Sequence, residues 1–385
     1  MEPSTLKVFT LSNIVQLHDY MAKQEQYKIN HPTHIIKVQV SGDNGSNDAA
    51  LLLDELAKEQ NQEILAKIVS LNFGKINHDY FLLTEHAKVL AAILDKMSEL
   101  KWLILTAKDI SSEGMVLIAK ALPKSIRYLD LSGNGIDSDV AIDIANSLAG
   151  TDIAYLILRN NNIGGVGIRA LTDKLPKSLF LLDLSGNLIE EETIENLGSF
   201  LLSCFQLNQL ILENTQLNAE TAQRIIKCLS ASLEELDLSA NPIGDSGVIS
   251  IMAELPEKCP HLQTLFFKNI NLGKQGVEAI VYSLPKLPKL VSLILYGNKL
   301  GVTEAAILGA ACGKVEATDV NVYFGVSEEV NPELLTAFEK AKQHARQDID
   351  EVIKLKKQLY LPPEGPHASS VSNKYKEQSV SPLSK

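Results

Sequence analysis

The stretch Ile126-Arg-Tyr-Leu129-Asp-Leu131-Ser-Gly-Asn134-Gly-Ile136 decides how this chain folds. Two of its leucines alternate around Asp130, and an asparagine follows three residues after the second of them. The same pattern returns in four more places, with its asparagine at Asn161, Asn187, Asn241 and Asn298. A pattern that recurs at a nearly fixed interval is typical of a chain built from stacked copies of one structural unit.

The spacing between copies is too regular to be coincidence. Eight copies begin 26 to 29 residues apart, at Leu100, Ile126, Ile153, Leu179, Leu207, Leu233, Leu262 and Leu290. In five copies the asparagine falls eight residues after the start, in four a glycine falls fourteen after it, and in four a proline falls twenty-three after it. These glycines are Gly114, Gly167, Gly247 and Gly276, and the prolines are Pro123, Pro176, Pro256 and Pro285.

Each copy predicts one strand followed by one helix. In the pattern Leu-x-x-Leu-x-Leu the last two leucines alternate as strand residues do, so both point into a core. The asparagine is expected to turn inward, where its amide satisfies backbone groups of the turn. A helix with aliphatic residues three to four apart follows, as in residues 140–148, and the repeated proline is expected to stop it. Neighbouring units must stack, because a single unit cannot hide its apolar side.

Weaker copies extend the array in both directions. The strand spacing recurs without the asparagine around Ile35 and Ile68. A first strand is expected from Leu6 to Leu11, and a degenerate last strand is expected to begin at Ala317. The sequence therefore predicts about twelve strands, the clearest of which lie between residues 100 and 300.

A strand–helix unit of this length resembles the repeats of the ribonuclease-inhibitor-like subfamily of leucine-rich-repeat proteins. Two repeat types also alternate, as in that subfamily. One strand position holds an aspartate in every second copy and a large apolar residue in the copies between, namely Asp130, Asp183 and Asp237 against Ile157, Ile211 and Phe266. The resemblance covers roughly residues 1–325. It implies an α/β fold, a right-handed leucine-rich-repeat solenoid (horseshoe) with a parallel β-sheet on its concave face and helices on its convex face.

Beyond the solenoid, residues 326–361 are expected to form an amphipathic C-terminal helix, and residues 362–385 a disordered tail. Pro332 suits the first helical position. The predicted apolar stripe of this helix consists of Leu335, Phe338, Ala341, Ala345, Ile349, Val352 and Leu359. The helix either covers the open core of the last repeat, or it recruits a partner or a second copy of the chain.

Composition narrows the partners and the location. The 385 residues carry a formal net charge of −11, which argues against nucleic acid as a partner. The N-terminal segment shows no signal-peptide pattern, and no apolar run reaches membrane-spanning length. We therefore expect a soluble monomer without membrane insertion, in the cytoplasm or exported into a host cell without a signal peptide. Four cysteines fit reduced core thiols, with the first two expected in helices: Cys204, Cys228, Cys259 and Cys312.

A search for catalytic and cofactor motifs finds none. The chain contains no His-Glu-x-x-His, no Gly-x-Ser-x-Gly and no Walker-type glycine loop. The glycines of Gly164–Gly167 are attributed to the geometry of a repeat turn, and Asp137–Asp139 lacks the glycine and distal glutamate of a calcium loop. The aspartates of alternate copies lie roughly 10 Å apart, too far for an acid–base pair, and fit a solvated position. The sequence predicts no enzyme, no cofactor and no metal site.

The side chains that face away from the core are the second, third, fifth and seventh of each copy. The third position holds Trp102, Tyr128, Tyr155 and Leu181 in four consecutive copies, and Phe180 stands beside them. Large apolar groups aligned on an exposed sheet are typical of a binding hot spot. The alternative is that these rings merely pack on one another.

Charge on this face is predicted to be uneven, which would orient a partner. Basic residues concentrate on the first six strands and acidic residues on the next three, without an opposing base there. The first six strands contribute Lys7, Lys37, Lys101, Arg127 and Arg159 against the single acid Asp130, and the next three contribute Asp183, Glu213, Glu234, Glu235 and Asp237.

The sequence therefore predicts a non-enzymatic interaction module that binds a protein partner on its concave face. The predicted binding residues are Trp102, Arg127, Tyr128, Tyr155, Arg159, Phe180 and Asp183. The repeat style resembles secreted leucine-rich-repeat effectors of intracellular bacteria, which implies an effector acting in a host cell. The alternative is a GTPase-activating protein resembling the Ran activator. That family carries a strongly acidic C-terminal tail, whereas residues 362–385 hold only two acids, Glu364 and Glu377.

Overall fold

Twelve strands follow one another in chain order across a single sheet. The computed structural model of the chain describes residues 8–11, 13–23, 35–42, 45–76, 84–314, 320–325 and 332–359. Each inner strand pairs in parallel with the strands of the preceding and following repeats, and the first and last strands form the two edges. The α/β solenoid and the twelve strands predicted from the sequence are confirmed.

A helical segment returns the chain from the end of most strands to the start of the next. The strands are β1 Val8–Leu11, β2 Ile35–Gly42, β3 Ile68–Ile76, β4 Trp102–Ile104, β5 Tyr128–Asp130, β6 Tyr155–Ile157, β7 Leu181–Asp183, β8 Gln209–Ile211, β9 Glu235–Asp237, β10 Thr264–Phe266, β11 Ser292–Ile294 and β12 Asn321–Tyr323. The α-helices are α1 Ile14–Ala22, α2 Gly45–Leu56, α3 Gln62–Leu65, α4 Thr84–Leu94, α5 Ser112–Lys120, α6 Ser138–Leu148, α7 Gly165–Lys174, α8 Ile194–Leu202, α9 Ala219–Lys227, α10 Gly244–Lys258, α11 Lys274–Ser283, α12 Val302–Lys314 and α13 Pro332–Leu359. The expected starts of the first and last strands, Leu6 and Ala317, lie outside the described residues.

The predicted asparagines form a ladder inside the solenoid. Each side-chain amide donates to the carbonyl three residues earlier and to a carbonyl of the preceding repeat, and each side-chain oxygen accepts from a backbone N–H of the preceding repeat. The members are Asn134, Asn161, Asn187, Asn241 and Asn298. The ladder therefore joins successive repeats as well as closing each turn.

The repeated glycines allow helices to pack closely, which corrects the turn explanation offered for Gly164–Gly167. Gly167 lies in the first turn of α7, and its φ is not in the left-handed region. A Cβ there would lie 2.8 Å from Ile163 Cγ2 and 3.0 Å from Cβ of Ala141 in the preceding helix. Gly114 has the same role, because its Cβ would lie 2.7 Å from that of Ala87. Space between helices selects glycine at this position.

The repeated proline ends the helix in three copies but not in the fourth. Pro123 and Pro176 follow the ends of α5 and α7, and Pro285 lies in a short 3-10 turn after α11. Pro256 instead lies inside α10, which continues to Lys258. That repeat spans 29 residues, among the longest in the array, and its helix accommodates the extra length.

The C-terminal helix α13 packs along α12, but its buried stripe is partly different from the predicted one. Phe338 and Ala345 are buried as predicted, whereas Leu335 is 43% exposed and Leu334 takes its place at 8%. The two helices lie so close that a Cβ on Gly313 would be 2.5 Å from the carbonyl oxygen of Lys342. Gly309 allows the same close contact with the backbone of Phe338. The predicted side chains of Ile349, Val352 and Leu359, and the tail 362–385, lie outside the described residues.

The four cysteines are free thiols. Cys204 follows the end of α8 and Cys228 caps the end of α9, so neither lies inside a helix as expected. Burial raises the pKa of Cys204 to about 11 and that of Cys259 to about 12, so both remain protonated and unreactive near neutral pH. Within the described ranges, no helix is both long and apolar enough to cross a membrane.

Candidate functional site

The sheet face carries its side chains in columns, because equivalent residues of successive repeats are paired in register. From β4 to β11 the third position reads Trp102, Tyr128, Tyr155, Leu181, Gln209, Glu235, Thr264 and Ser292. The seventh position reads Thr106, Ser132, Arg159, Ser185, Glu213, Ser239, Lys268 and Tyr296. The face thus has an aromatic region near the starts of β4–β7 and a charged region beyond the ends of β6–β10.

The aromatic row consists of Trp102, Tyr128, Tyr155 and Phe180. The rings of Tyr128 and Tyr155 have centroids 5.7 Å apart, and those of Tyr155 and Phe180 have centroids 5.4 Å apart. Trp102 is paired in register with Tyr128 and is 40% exposed, and the other three rings are partly exposed. The three rings of Tyr128, Tyr155 and Phe180 therefore pack on one another, and with Trp102 on the neighbouring strand they present an apolar surface to solvent.

Leu181 and Tyr128 differ from what their positions in the pattern suggest. Leu181, expected in the same exposed column, is only 9% exposed between Tyr155 and Gln209. Burial, and then the charge of Asp130, raise the pKa of the Tyr128 hydroxyl. That hydroxyl consequently stays a neutral hydrogen-bond donor at the rim of the row.

The ion-pair chain consists of Arg159, Glu213, Lys268 and Asp237. An Nη atom of Arg159 lies 2.5 Å from a carboxylate oxygen of Glu213. Lys268 Nζ lies 3.4 Å from Glu213 and 3.5 Å from Asp237. Burial opposes ionisation of Glu213, but the hydrogen bond from Arg159 and the charge of Lys268 hold its pKa below the ordinary value. The repeats of β7–β9 contribute no base of their own to this face, and the bases that pair with their acids come from the flanking repeats, Arg159 after β6 and Lys268 after β10.

Asp183, beside the ion-pair chain, and Asp237, within it, are both buried, which corrects their prediction as solvated residues and that of Asp183 as a binding residue. Each is 6% exposed, and each accepts a backbone hydrogen bond at 2.8 Å, Asp183 from Ser185 and Asp237 from Ser239. The Arg159–Glu213 pair joins the repeats on either side of β7, so it spans the repeat that holds Asp183. Burial is the main reason that the pKa of both aspartates is raised.

The raised pKa of Asp183 predicts how stability depends on pH. A carboxyl whose pKa is higher in the folded than in the unfolded protein stabilises the fold only when protonated, and this contribution is lost as pH rises through the folded pKa. We expect the melting temperature of Asp183→Asn, relative to wild type, to improve steadily from pH 3 to pH 7. Asp143→Asn, at a more exposed aspartate on α6, serves as the control. A constant difference across this range would contradict the burial argument.

The remaining predicted site residue, Arg127, faces another way. One of its Nη atoms donates to the carbonyl of Asp152 at 2.8 Å and lies 3.0 Å from the carboxylate of the same residue. This pairing holds the guanidinium beside the segment that leads into β6. Of the seven predicted residues, the structure joins the four aromatics into one row, places Arg159 in the ion-pair chain, buries Asp183 beside it and directs Arg127 to Asp152.

The motifs considered for metal binding have structural explanations. Asp137 is the N-cap of α6, and its side chain accepts a hydrogen bond from the N–H of Val140 at 3.0 Å. In the part of the chain that the structure describes, no group of three or more His, Cys, Asp or Glu could hold a metal ion.

Comparisons with known proteins agree with this architecture. The model of the leucine-rich repeat family matches residues 123–145, 153–171 and 230–252. The ribonuclease inhibitor of Sus scrofa is 26% identical over 268 residues, which cover 60% of this chain and 59% of that protein. The Rho GTPase-activating protein gacW of Dictyostelium discoideum is 24% identical over 234 residues, 57% of this chain and 20% of that protein. The chain thus spans less than two thirds of the length of these relatives.

The repeat register, the asparagine ladder and these matches identify the kind of repeat. The chain folds as a leucine-rich-repeat solenoid, and its repeats are similar to those of the ribonuclease inhibitor. A solved structure, the leucine-rich-repeat-containing protein LegL7 from Legionella pneumophila, aligns with a TM-score of 0.41 at 16% identity, covering 87% of this chain and 98% of that one. Repeats of this class build extended concave surfaces for protein partners.

Sequence reasoning missed two features of this leucine-rich-repeat protein. Lys268 closes the ion-pair chain, and the signal for it was present, because it occupies the same seventh position as Arg159 and Glu213. Phe205 is 76% exposed at the segment before β8, three residues from Asn208, whose N–H donates to the Phe180 carbonyl. Apolar surface therefore continues beyond the starts of the strands, near the Phe180 end of the aromatic row.

Proposed function

We propose that this leucine-rich-repeat protein binds a protein partner on its concave face and catalyses no reaction. The observation that carries the proposal is the aromatic row, in which three rings contact one another, Trp102 stands beside them on the next strand, and the surface stays open to solvent. Aromatic side chains supply large contact area with few rotatable bonds, which is why they dominate interface energies. The ion-pair chain supports the proposal because it fixes a charged border beside the row.

The test is a partner captured with the wild-type protein, identified by mass spectrometry and then purified. We expect Tyr128→Ala and Tyr155→Ala each to weaken binding of that partner at least about tenfold, because each removes a ring near the centre of the row. Affinity is measured by calorimetry, and a thermal melt of each variant checks that it remains folded.

Ser292→Ala is the matched control, since Ser292 occupies the same third position on the distant strand β11 and should leave affinity unchanged. If both tyrosine variants bind normally, the partner uses another surface. If their loss of binding is matched by unfolding, the tyrosines have only a structural role.

A GTPase-activating role is the second candidate, and the match to a relative named as a Rho GTPase-activating protein is the observation that favours it. Activators of one type insert an arginine beside the nucleotide, and the two arginines predicted for the binding site, Arg127 and Arg159, are already in ion pairs. Adding the purified protein to a panel of small GTPases loaded with GTP separates the two candidates, and acceleration of hydrolysis would favour the second.

The resemblance to secreted bacterial effectors remains a prediction, as does a monomeric state. An effector role is tested by fusing the chain to a reporter enzyme that is active only inside a host cell. Reporter activity in infected cells would support export, and its confinement to the producing cell would place the interaction module in the cytoplasm.

A further inference from the structure

The carboxylates of the concave face fall into two groups. Four of them are satisfied internally: Glu213 and Asp237 belong to the ion-pair chain, and Asp130 and Asp183 accept hydrogen bonds from the serine two residues later. Glu234 and Glu235, at the start of β9, are the second group. Among the described residues, no basic side chain lies within 4.0 Å of either carboxylate, although both are only partly exposed.

The residues that flank this glutamate pair in the neighbouring repeats are polar but uncharged. In the neighbouring repeats, the second and third positions hold Asn208 and Gln209 on one side and Gln263 and Thr264 on the other. Burial, and then the charge of Asp237, raise the pKa of Glu235. A carboxylate that serves only solubility is usually well exposed. Two adjacent, partly buried carboxylates without a basic neighbour are therefore better explained by a basic group that a binding partner supplies.

The pair lies at a defined distance from the aromatic row. Phe180 stands at the second position of the β7 repeat and Glu234 at the second position of the β9 repeat, so two strand spacings separate them. With strands about 4.8 Å apart, their backbones are roughly 10 Å from each other. An extended chain advances about 3.3 Å per residue, so three to four residues of a partner cover this distance.

Resting on the proposed function, we infer that the partner presents a lysine or arginine to Glu234 and Glu235 while an apolar side chain three to four residues away packs on the aromatic row. The apolar contact supplies area, and the charge pair fixes the register and direction of the bound segment. The same acids give the interaction a pH dependence. Because a raised pKa leaves Glu235 protonated at higher pH than an ordinary glutamate, binding weakens as pH falls through that pKa.

The experiment uses a displayed library of random twelve-residue peptides, selected on the immobilised full-length chain. Selection is repeated on Tyr155→Ala and on the double variant Glu234→Gln with Glu235→Gln. We expect wild-type protein to enrich peptides with a basic residue three to four positions from an aromatic or aliphatic one. One such peptide should lose at least about tenfold in affinity on the double glutamine variant and should be insensitive to Glu257→Gln, an exposed control on α10.

The outcomes separate this inference from the proposed function. Peptides that depend on Tyr155 but carry no enriched basic residue, and that bind the double glutamine variant normally, would overturn the inference and leave the concave site standing. Peptides that ignore Tyr155→Ala, or no enrichment at all, would contradict the proposed function itself. Replacing the basic residue of a selected peptide by glutamine should lower its affinity for wild-type protein as much as the double glutamine variant lowers the affinity of the unchanged peptide. Combining the two changes should lower the affinity no further than either change alone.

Discussion

Replacing Asn187 by alanine is expected to destabilise the protein severely without changing its binding surface. Its Nδ2 donates to the carbonyls of Leu158 and Leu184 at 2.9 and 3.0 Å, and its Oδ1 accepts from the N–H of Ile163 at 3.1 Å. The side chain is 1% exposed, so water cannot replace these partners. Each buried group left unpaired costs roughly 1–3 kcal/mol, and the variant should lose about 3 kcal/mol or more of its free energy of unfolding.

Urea unfolding followed by circular dichroism measures this loss. Asn162→Ala is the matched control, because Asn162 lies at the turn of the preceding repeat with its side chain exposed. The control should unfold at the wild-type urea concentration, whereas Asn187→Ala should unfold well below it. At temperatures where the variant is still folded, partner affinity should remain close to that of wild type. An unchanged unfolding midpoint would show that the ladder is not a structural requirement.

The fold was predictable because its determinants are local and repeated. The alternation of Leu129 and Leu131 defines a strand within a few residues, and Asn134 defines the turn that follows. The constant period then places equivalent residues of neighbouring repeats opposite one another, as the pairing of Tyr128 with Tyr155 confirms. Alignment of the aromatic row followed from the same register, since it requires only the positions of the residues along each copy.

Burial on the sheet face was not predictable from the same pattern. Asp183 is covered because Arg159 reaches Glu213, a residue 54 positions later, across the intervening repeat. Position within one copy indicates which way a side chain points but not which long neighbour covers it. The same limitation applied to Lys268, which pairs with Glu213 at a separation of 55 residues.

The repeat pattern also does not predict how the fold accommodates a different residue at a position that defines the repeat. Lys108 occupies the asparagine position of the copy that begins at Leu100, where it is 1% exposed, and burial lowers its pKa. Its backbone N–H still donates to Asn134 at 3.0 Å, so the ladder continues past it. The backbone of this copy therefore keeps its hydrogen bond to the next copy even though its own residue is one that the sequence pattern would not select.

The phase of the C-terminal helix depended on tertiary contact. Helical periodicity alone does not distinguish a stripe through Leu335 from one through Leu334, since the two differ by one position around the axis. The close approach of α13 to α12 at the glycine at 309 selects Leu334 and Phe338 as the buried pair. Lys342 then lies 5% exposed on the same side, with its Nζ donating to the carbonyl of Val320 at 3.2 Å.

These contacts predict that truncation after Phe324 exposes the end of the solenoid. Removing α13 would uncover the face of α12 at Gly309 and Gly313, which now lies against Phe338 and Lys342, together with Phe324, whose ring lies 5.6 Å from that of Phe338. A terminal repeat without a covering element leaves its apolar side open to association. We expect the truncated protein to aggregate on size-exclusion chromatography and to melt at a distinctly lower temperature than the full chain.

Truncation after Pro362 is the matched control, because it keeps all of α13 and should leave both elution volume and melting temperature unchanged. Phe338→Asp in the full chain provides a second route to the same conclusion, since it retains the length of the helix and places a charge where a 1% exposed ring now packs. A soluble, monomeric and equally stable protein ending at Phe324 would show that α13 does not protect the solenoid. The helix would then be a recruitment element, and its face against α12 would be the surface that a partner competes for.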